Sequence, residues 1–139
     1  MLKWWFQTKY DRLIEAICAG NEAEAQKLIA QMDTNELSKV NNDGDTTLSL
    51  AVLYCLEKVC ELLIDKISEQ AINQVNNDSE TALIWAASKG LDKVCEMLIN
   101  KMSEQVINHI DDNGNTALTL ATGKGFDKVC KLLIPRMSE

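Results

Sequence analysis

Three cysteines stand in near-identical surroundings: Cys60 in EKVCELLI (57–64), Cys95 in DKVCEMLI (92–99) and Cys130 in DKVCKLLI (127–134). A thiol flanked by acidic and basic residues could be a nucleophile, a metal ligand or half of a disulfide. Each role has a geometric demand. A disulfide needs Cα atoms within about 7 Å, and a zinc site needs all its sulfurs about 2.3 Å from one ion. These cysteines recur every 35 residues, and equivalent positions of stacked helical units sit about 8–10 Å apart. Each also falls on an apolar stripe with Val and Leu, so the spacing predicts small core residues. Cys18 and Cys55 lie outside the series and are expected to be partly exposed. A reactive thiol at either is the single opening for catalysis.

The other chemistry-bearing residues give less. His109 is the only histidine. It occupies the place held by Gln74 and Lys39 in neighbouring units, which predicts a solvated surface residue. One histidine supports no Ser/His/Asp or Cys/His set. DDNGN (111–115) begins like a calcium loop, but that loop wants Gly at its sixth position and Glu at its twelfth. Thr116 and Thr122 stand there instead. GKG (123–125) lacks the spacing of a phosphate-binding loop. No catalytic residue, metal ligand or cofactor site is assigned, and the chain is expected not to be an enzyme.

The totals are those of one globular domain: 139 residues, 46% hydrophobic and 25% charged. Net charge is −7, from 14 basic and 21 acidic residues. That balance argues against nucleic-acid binding, which relies on clustered Lys and Arg, and makes a basic partner easier to accommodate. No apolar run is long enough to span a bilayer. MLKWWFQTKY has neither the apolar stretch nor the cleavage site of a signal peptide. An odd cysteine count without a secretion signal fits reduced thiols in a cytosol-like compartment.

What positions these residues is a repeat. Thr46, Thr81 and Thr116 share the 35-residue interval, as do Leu48, Leu83 and Leu118, and Ala51, Ala86 and Ala121. A divergent fourth copy precedes them, where LIEAICAGNEAEAQKLIAQM (13–32) aligns with LIWAASKGLDKVCEMLINKM (83–102). Each copy holds two helical patterns. Leu48, Ala51 and Val52 mark one face of the first; Leu56, Val59, Cys60, Leu63 and Ile67 mark the second. The threonines suit the N-cap of the first helix, and Glu57, Asp92 and Asp127 suit the positive end of the second. Asp43–Gly44 and Asn113–Gly114 are tight-turn signals.

Turn, T-x-L-x-x-A, glycine, then a second helix ending in two apolar residues, as in NDSETALIWAASKGLDKVCEMLI, resembles the ankyrin repeat. The resemblance covers roughly 11–139 and implies an all-α repeat solenoid of helix-turn-helix pairs joined by β-hairpin-like loops. Repeats are expected at about 11–40, 41–75, 76–110 and 111–139, after an aromatic segment at 1–10. This sequence departs from the family in several places. Thr47, Ala82 and Ala117 replace its proline, and Ser49, Ile84 and Thr119 its histidine. Cys55 replaces the inter-helix glycine kept as Gly20, Gly90 and Gly125. If that site needs positive φ, Cys55 is strained by about 1 kcal/mol. The two residues beyond the usual 33 fall after the second helix. That helix is expected to break or bend at Asp65, Asn100 and Pro135, with Ser68 and Ser103 capping a short extra turn.

The resemblance further implies a non-enzymatic interaction module that takes a protein or peptide partner on its concave face. Carried over by position, the loop tips supply Asn42, Asp43 and Asp45; Asn77, Asp78 and Glu80; Asp112, Asn113 and Asn115. The first helices supply Leu53, Tyr54, Ser88, Lys89, Gly123 and Lys124. Tyr54 beside Leu53 fits an interface anchor, and Trp85 is expected mainly in the core. The acidic tips suit a basic partner. Similar long-repeat ankyrins occur in intracellular bacteria, so the expected setting is the cytoplasm or, for a delivered protein, a host cytosol. The alternative is a structural unit that oligomerises through its stacking ends or through Trp4, Trp5 and Phe6. End repeats must differ from inner ones. Glu24 and Lys27 replace the Val and Leu expected to face a preceding repeat; Thr119 and Thr122 replace Ile84 and Ala87. Both ends therefore read as partly capped and four repeats as the solenoid, with a piece of a longer array left open because the chain stops mid-repeat.

Overall fold

The structure, a computed structural model, describes residues 7–136; Trp4, Trp5, Phe6 and the final MSE lie outside them. Four helix pairs follow one another: α1 (Lys9–Cys18) with α2 (Glu22–Gln31), α4 (Thr47–Leu53) with α5 (Glu57–Lys66), α7 (Ala82–Lys89) with α8 (Asp92–Lys101), and α10 (Ala117–Lys124) with α11 (Asp127–Leu133). One-turn helices α3 (Thr34–Leu37), α6 (Glu69–Ile72) and α9 (Glu104–Ile107) close the first three units, and a 3-10 turn, Ile134–Arg136, follows α11. The first helices pack side by side in the order α1, α4, α7, α10, and the second helices in the order α2, α5, α8, α11. Among the described residues there is no strand. The architecture is the all-α repeat solenoid that the resemblance implies.

Local chemistry sets the boundaries. Thr46, Thr81 and Thr116 adopt extended backbone and accept from the amides of Ser49, Ile84 and Thr119 at 3.1, 3.1 and 3.2 Å. Each satisfies a helix N–H that would otherwise lack a partner. Thr47, at the place of the family's proline, is fully buried and donates its hydroxyl to the Leu37 carbonyl at 3.0 Å. It thereby ties α4 to the previous repeat. The predicted stripes are the core: Leu48, Ala51, Val52, Val59, Cys60 and Leu63 have no exposed surface. Burying each large apolar side chain contributes about 1.5–3 kcal/mol.

The extra turn is capped as expected, with the Ser68 and Ser103 hydroxyls accepting from the amides of Ala71 and Val106. The break itself falls later than expected in the inner repeats. Asp65 and Asn100 remain helical, and the chain turns out at Ile67 and Met102. The reason is that Ile67 N–H still reaches the Leu63 carbonyl and Met102 N–H the Leu98 carbonyl, so the last turn closes before the backbone extends. Only Pro135, which cannot donate, ends the regular helix at Leu133.

The second helices also carry less of the junction than expected. Val59, Val94 and Val129 are buried against their neighbours, but Leu62 is 37% exposed and Met97 and Leu132 only partly covered. A lysine contributes instead. Lys66 Nζ donates to the Ile29 carbonyl at 2.7 Å, and Lys101 Nζ to the Ile64 carbonyl at 3.3 Å. The second and third repeats thus each cap the open end of the second helix before them.

Candidate functional site

The loop tips are built by an asparagine or aspartate that bonds its own turn. Asn41 Oδ1 accepts from the amides of Asp43 and Asp45, both at 2.9 Å. Asn76 does the same for Asp78 and Glu80, and Asp111 for Asn113 and Asn115. The backbone closes between Gly44 N–H and the Asn41 carbonyl, and only the residue after the turn has positive φ: Gly44 at 80°, Ser79 at 62°, Gly114 at 82°. This is a type I turn followed by a left-handed residue. Sequence reasoning passed over Asn41, Asn76 and Asp111. Their signal was a side-chain acceptor two and four residues before the amides it serves.

This framework places Asn42, Asp43, Asn77, Asp78, Asp112 and Asn113 at exposed tips, and Asp45, Glu80 and Asn115 half-buried behind them. The second row is already bonded. Asn76 Nδ2 donates to Asp45 Oδ1 at 2.9 Å and to Glu80 Oε1 at 3.2 Å, and Asn115 Oδ1 accepts from Thr119 at 3.3 Å. Asn77 joins two tips, its backbone amide donating to the Asp43 carbonyl and its side chain to the Asn42 carbonyl, both at 2.9 Å. Asp112 stands in its place one repeat on and has no side-chain donor. A β-carbon on Gly44 would lie 2.9 Å from Asn76 Cα, so glycine there permits the close approach of the two loops. None of the tip carboxylates takes part in an ion pair among the described residues; the pairs are Arg12–Glu24, Lys93–Glu61, Lys101–Asp65 and Lys128–Asp92.

Beside the tips, the first helices carry a row of half-buried apolar side chains: Leu50, Trp85 and Leu120, with Leu53 one turn further along α4. Trp85 was expected mainly in the core. Its body packs there, but part stays exposed, with Lys89 Nζ 5.9 Å from the ring. Lys124 Nζ donates to the Ser88 carbonyl at 2.9 Å and its hydroxyl at 3.0 Å, which ties α10 to α7; Gly123 is exposed beside it. Tyr54 ends α4 with 44% of its surface exposed. The Cys18 side chain beside the phenol is the main cause that pushes its pKa up from 10.0.

The cysteines divide by burial. Cys60 and Cys95 have no exposed surface, and burial pushes both thiols up to about 12. A thiol so raised is a poor nucleophile near neutral pH. Cys130 is only half-buried, because no described repeat covers it. Cys18 and Cys55 are exposed, and Cys55 has φ 58°, the left-handed conformation its three glycine counterparts adopt. His109 is not the solvated residue expected. It is half-buried, with Nε2 3.0 Å from both the hydroxyl and the carbonyl oxygen of Ser79, the serine held at positive φ. Among the described residues, no three His, Cys, Asp or Glu side chains stand together as a metal site would require.

Known proteins resemble this sequence. The family model for ankyrin repeats (3 copies) matches residues 67–139, just over half of the chain. A protein of Rickettsia bellii (strain RML369-C) named as an ankyrin repeat protein is 67% identical over 60 residues, covering 43% of this chain and 11% of the relative. One from Rickettsia felis (strain ATCC VR-1525 / URRWXCal2) is 61% identical over 66 residues, covering 48% and 21%. A second Rickettsia bellii protein is 48% identical over 59 residues, covering 42% and 15%. The chain therefore spans about a fifth or less of the length of the curated relatives it matches. With capping threonines, glycine after three of the four first helices and stacked pairs in repeat order, the chain belongs to the ankyrin repeat family.

Proposed function

We propose that the chain is a non-enzymatic interaction module whose tips and first-helix face take a protein or peptide segment with basic side chains. Ankyrin repeats generally mediate protein–protein interaction. The observation that carries the finer reading is a juxtaposition. Exposed Tyr54 and half-buried Leu53, Leu50 and Trp85 form an amphipathic row beside tip carboxylates with no ion-pair partner among the described residues. Aromatic anchors contribute affinity, and rim charges steer encounter and choose the partner's sign. Asp43, Asp78 and Asp112 are the rim residues, with Asn42, Asn77 and Asn113 between them. Asp45, Glu80 and Asn115 hold the loops in shape. Lys89, Ser88 and Lys124 bound the far side of the row and leave less room there for a basic side chain.

No helix among the described residues is long and apolar enough to cross a membrane. With Rickettsia relatives, the setting we infer is the bacterial cytoplasm or, after delivery, a host cytosol. The test is affinity capture with wild type, Tyr54→Ala and Asp78→Lys, followed by titration of each captured partner. Tyr54→Ala should weaken binding at least tenfold, and Asp78→Lys should slow association and flatten its salt dependence. If neither substitution changes the binding of any partner, this face is not the site.

A further inference from the structure

We propose that the row of loop tips is divided, so that loops 41–45 and 76–80 move as one body and loop 111–115 swings separately, held to them by His109 alone. The observation is that consecutive repeats close at opposite ends. Between the second and third repeats the tips are drawn together. Asn77 N–H donates to the Asp43 carbonyl and its side chain to the Asn42 carbonyl, and Asn76 Nδ2 donates to Asp45 Oδ1, all at 2.9 Å. That approach excludes a side chain at position 44, because a β-carbon there would lie 2.9 Å from Asn76 Cα and 3.0 Å from the Asn77 nitrogen. One repeat on, Ser79 stands in the place of Gly44 and carries that β-carbon on a similar left-handed backbone, φ 62° against 80°. Loop 111–115 is therefore kept from coming as close. Asp111 and Asp112 also replace Asn76 and Asn77, and a carboxylate has no hydrogen to donate. Among the described residues the Asp112 amide has no hydrogen-bond partner, and no backbone bond joins loop 76–80 to loop 111–115.

The strut is His109, which enters loop 111–115 just ahead of Asp111. Its Nε2 is 3.0 Å from both the hydroxyl and the carbonyl oxygen of Ser79. A carbonyl only accepts, so Nε2 carries a hydrogen and donates it. The helical side of the same junction is closed. A β-carbon on Gly90 would lie 3.0 Å from the Phe126 ring, and Lys124 Nζ bonds the carbonyl and hydroxyl of Ser88. At the preceding junction Cys55 stands in the place of Gly90, and Lys89 turns instead to the Trp85 ring. The fourth repeat is therefore fixed to the third at the inter-helix turn and parted from it at the tip, which makes that turn the pivot. Asp78 and Asp112 lie on either side of the parting, both exposed. His109 is thus a positioning residue that sets the spacing of those two carboxylates. The division belongs to the free chain and stands apart from the partner proposed above.

The test reads backbone amides of the full-length chain, without partner, by NMR. Hydrogen-exchange protection, corrected for intrinsic rates, should be at least about tenfold lower at Asp112 than at Asn77. Ser79→Gly/Asp112→Asn restores both features of the tied junction. It should raise protection at position 112 at least about tenfold and leave Asn77 unchanged. His109→Ala should lower the order parameters of loop 111–115 below about 0.6, with loops 41–45 and 76–80 unmoved. His109→Gln keeps a side-chain N–H donor and should restore most of that order. Equal protection at Asn77 and Asp112 in the wild type would overturn the proposal, as would a double variant that leaves position 112 as it was. So would a His109→Ala chain whose loop 111–115 keeps its order or whose three loops lose order together, or a loss that His109→Gln does not repair.

Discussion

Alkaline pH should unfold this protein through Cys60 and Cys95. Both thiols sit near 12 in the folded chain against an ordinary value of 9.0, and the first cause is burial, which disfavours the thiolate. In the unfolded chain they ionise first, so above pH 9 the unfolded state binds fewer protons than the native one. Stability therefore falls as pH rises. The contribution is intact below about pH 9 and is lost progressively toward pH 12. At pH 10 each thiol costs about 1.4 kcal/mol, and the pair about 3 kcal/mol, out of a total of roughly 5–15 kcal/mol for a domain. Tyr10, also raised by burial, acts in the same direction, so wild-type data alone do not isolate the thiols. The assay is urea unfolding at pH 8, 9 and 10 for wild type and for Cys60→Ala/Cys95→Ala. The double variant should be weaker at pH 8, where it lacks two buried sulfurs, yet lose about 3 kcal/mol less between pH 8 and 10. Parallel losses in the two proteins would refute the reasoning, as would rapid labelling of Cys60 or Cys95 by a thiol reagent in the native state.

Three further outcomes follow from named contacts. Cys55→Gly should stabilise by about 1 kcal/mol, read as a higher melting temperature, because glycine meets φ 58° without the Cβ penalty. Gly44→Ala should destabilise by more than 1 kcal/mol and lower the hydrogen-exchange protection of the Asn77 amide, since the added carbon meets Asn76 Cα at 2.9 Å. Thr81→Ala should cost about 1 kcal/mol in chemical unfolding, through loss of the bond to the Ile84 amide.

The fold was legible because its determinants are periodic and local. A threonine before Leu48, Leu83 and Leu118, and apolar residues at helical spacing, specify the same element three times. What escaped was lateral. Nothing in the order of residues says that Asn77 reaches back 35 positions to the Asn42 carbonyl, or that Lys66 caps a helix ending at Gln31. The misplaced helix break has the same origin. Asp65 and Asn100 are poor interior residues by propensity, but the closing bond from Ile67 or Met102 holds the last turn. For the candidate site, sequence located the tips and Tyr54. The division of tip residues into those facing solvent and those holding the loops needed Asn76, which bonds Asp45 and Glu80 together.

Two residues break the repeat's own backbone rule, and their surroundings differ. Ser79 takes a left-handed conformation where the neighbouring repeats have Gly44 and Gly114. The end of the same unit supplies His109, whose Nε2 meets both Ser79 oxygens, where other units have Gln74 or Lys39. Substitution and clamp occur together, so that strain is offset within the repeat. Cys55 breaks the rule at the equivalent inter-helix site with no comparable side-chain clamp, and it is exposed next to Tyr54. Backbone strain persists where the surrounding packing holds it. Here it falls at the end of α4, where the helix stops one residue early and Tyr54 leaves the helical register as its C-cap. In two of the three repeats that keep glycine, the corresponding Lys89 and Lys124 remain helical and reach Trp85 and Ser88, whereas in the first repeat α1 also stops one residue early, with Ala19 as its C-cap before Gly20. The same position is therefore helical in the last two repeats and a C-cap in the first two, and of those two only Tyr54 carries an aromatic ring.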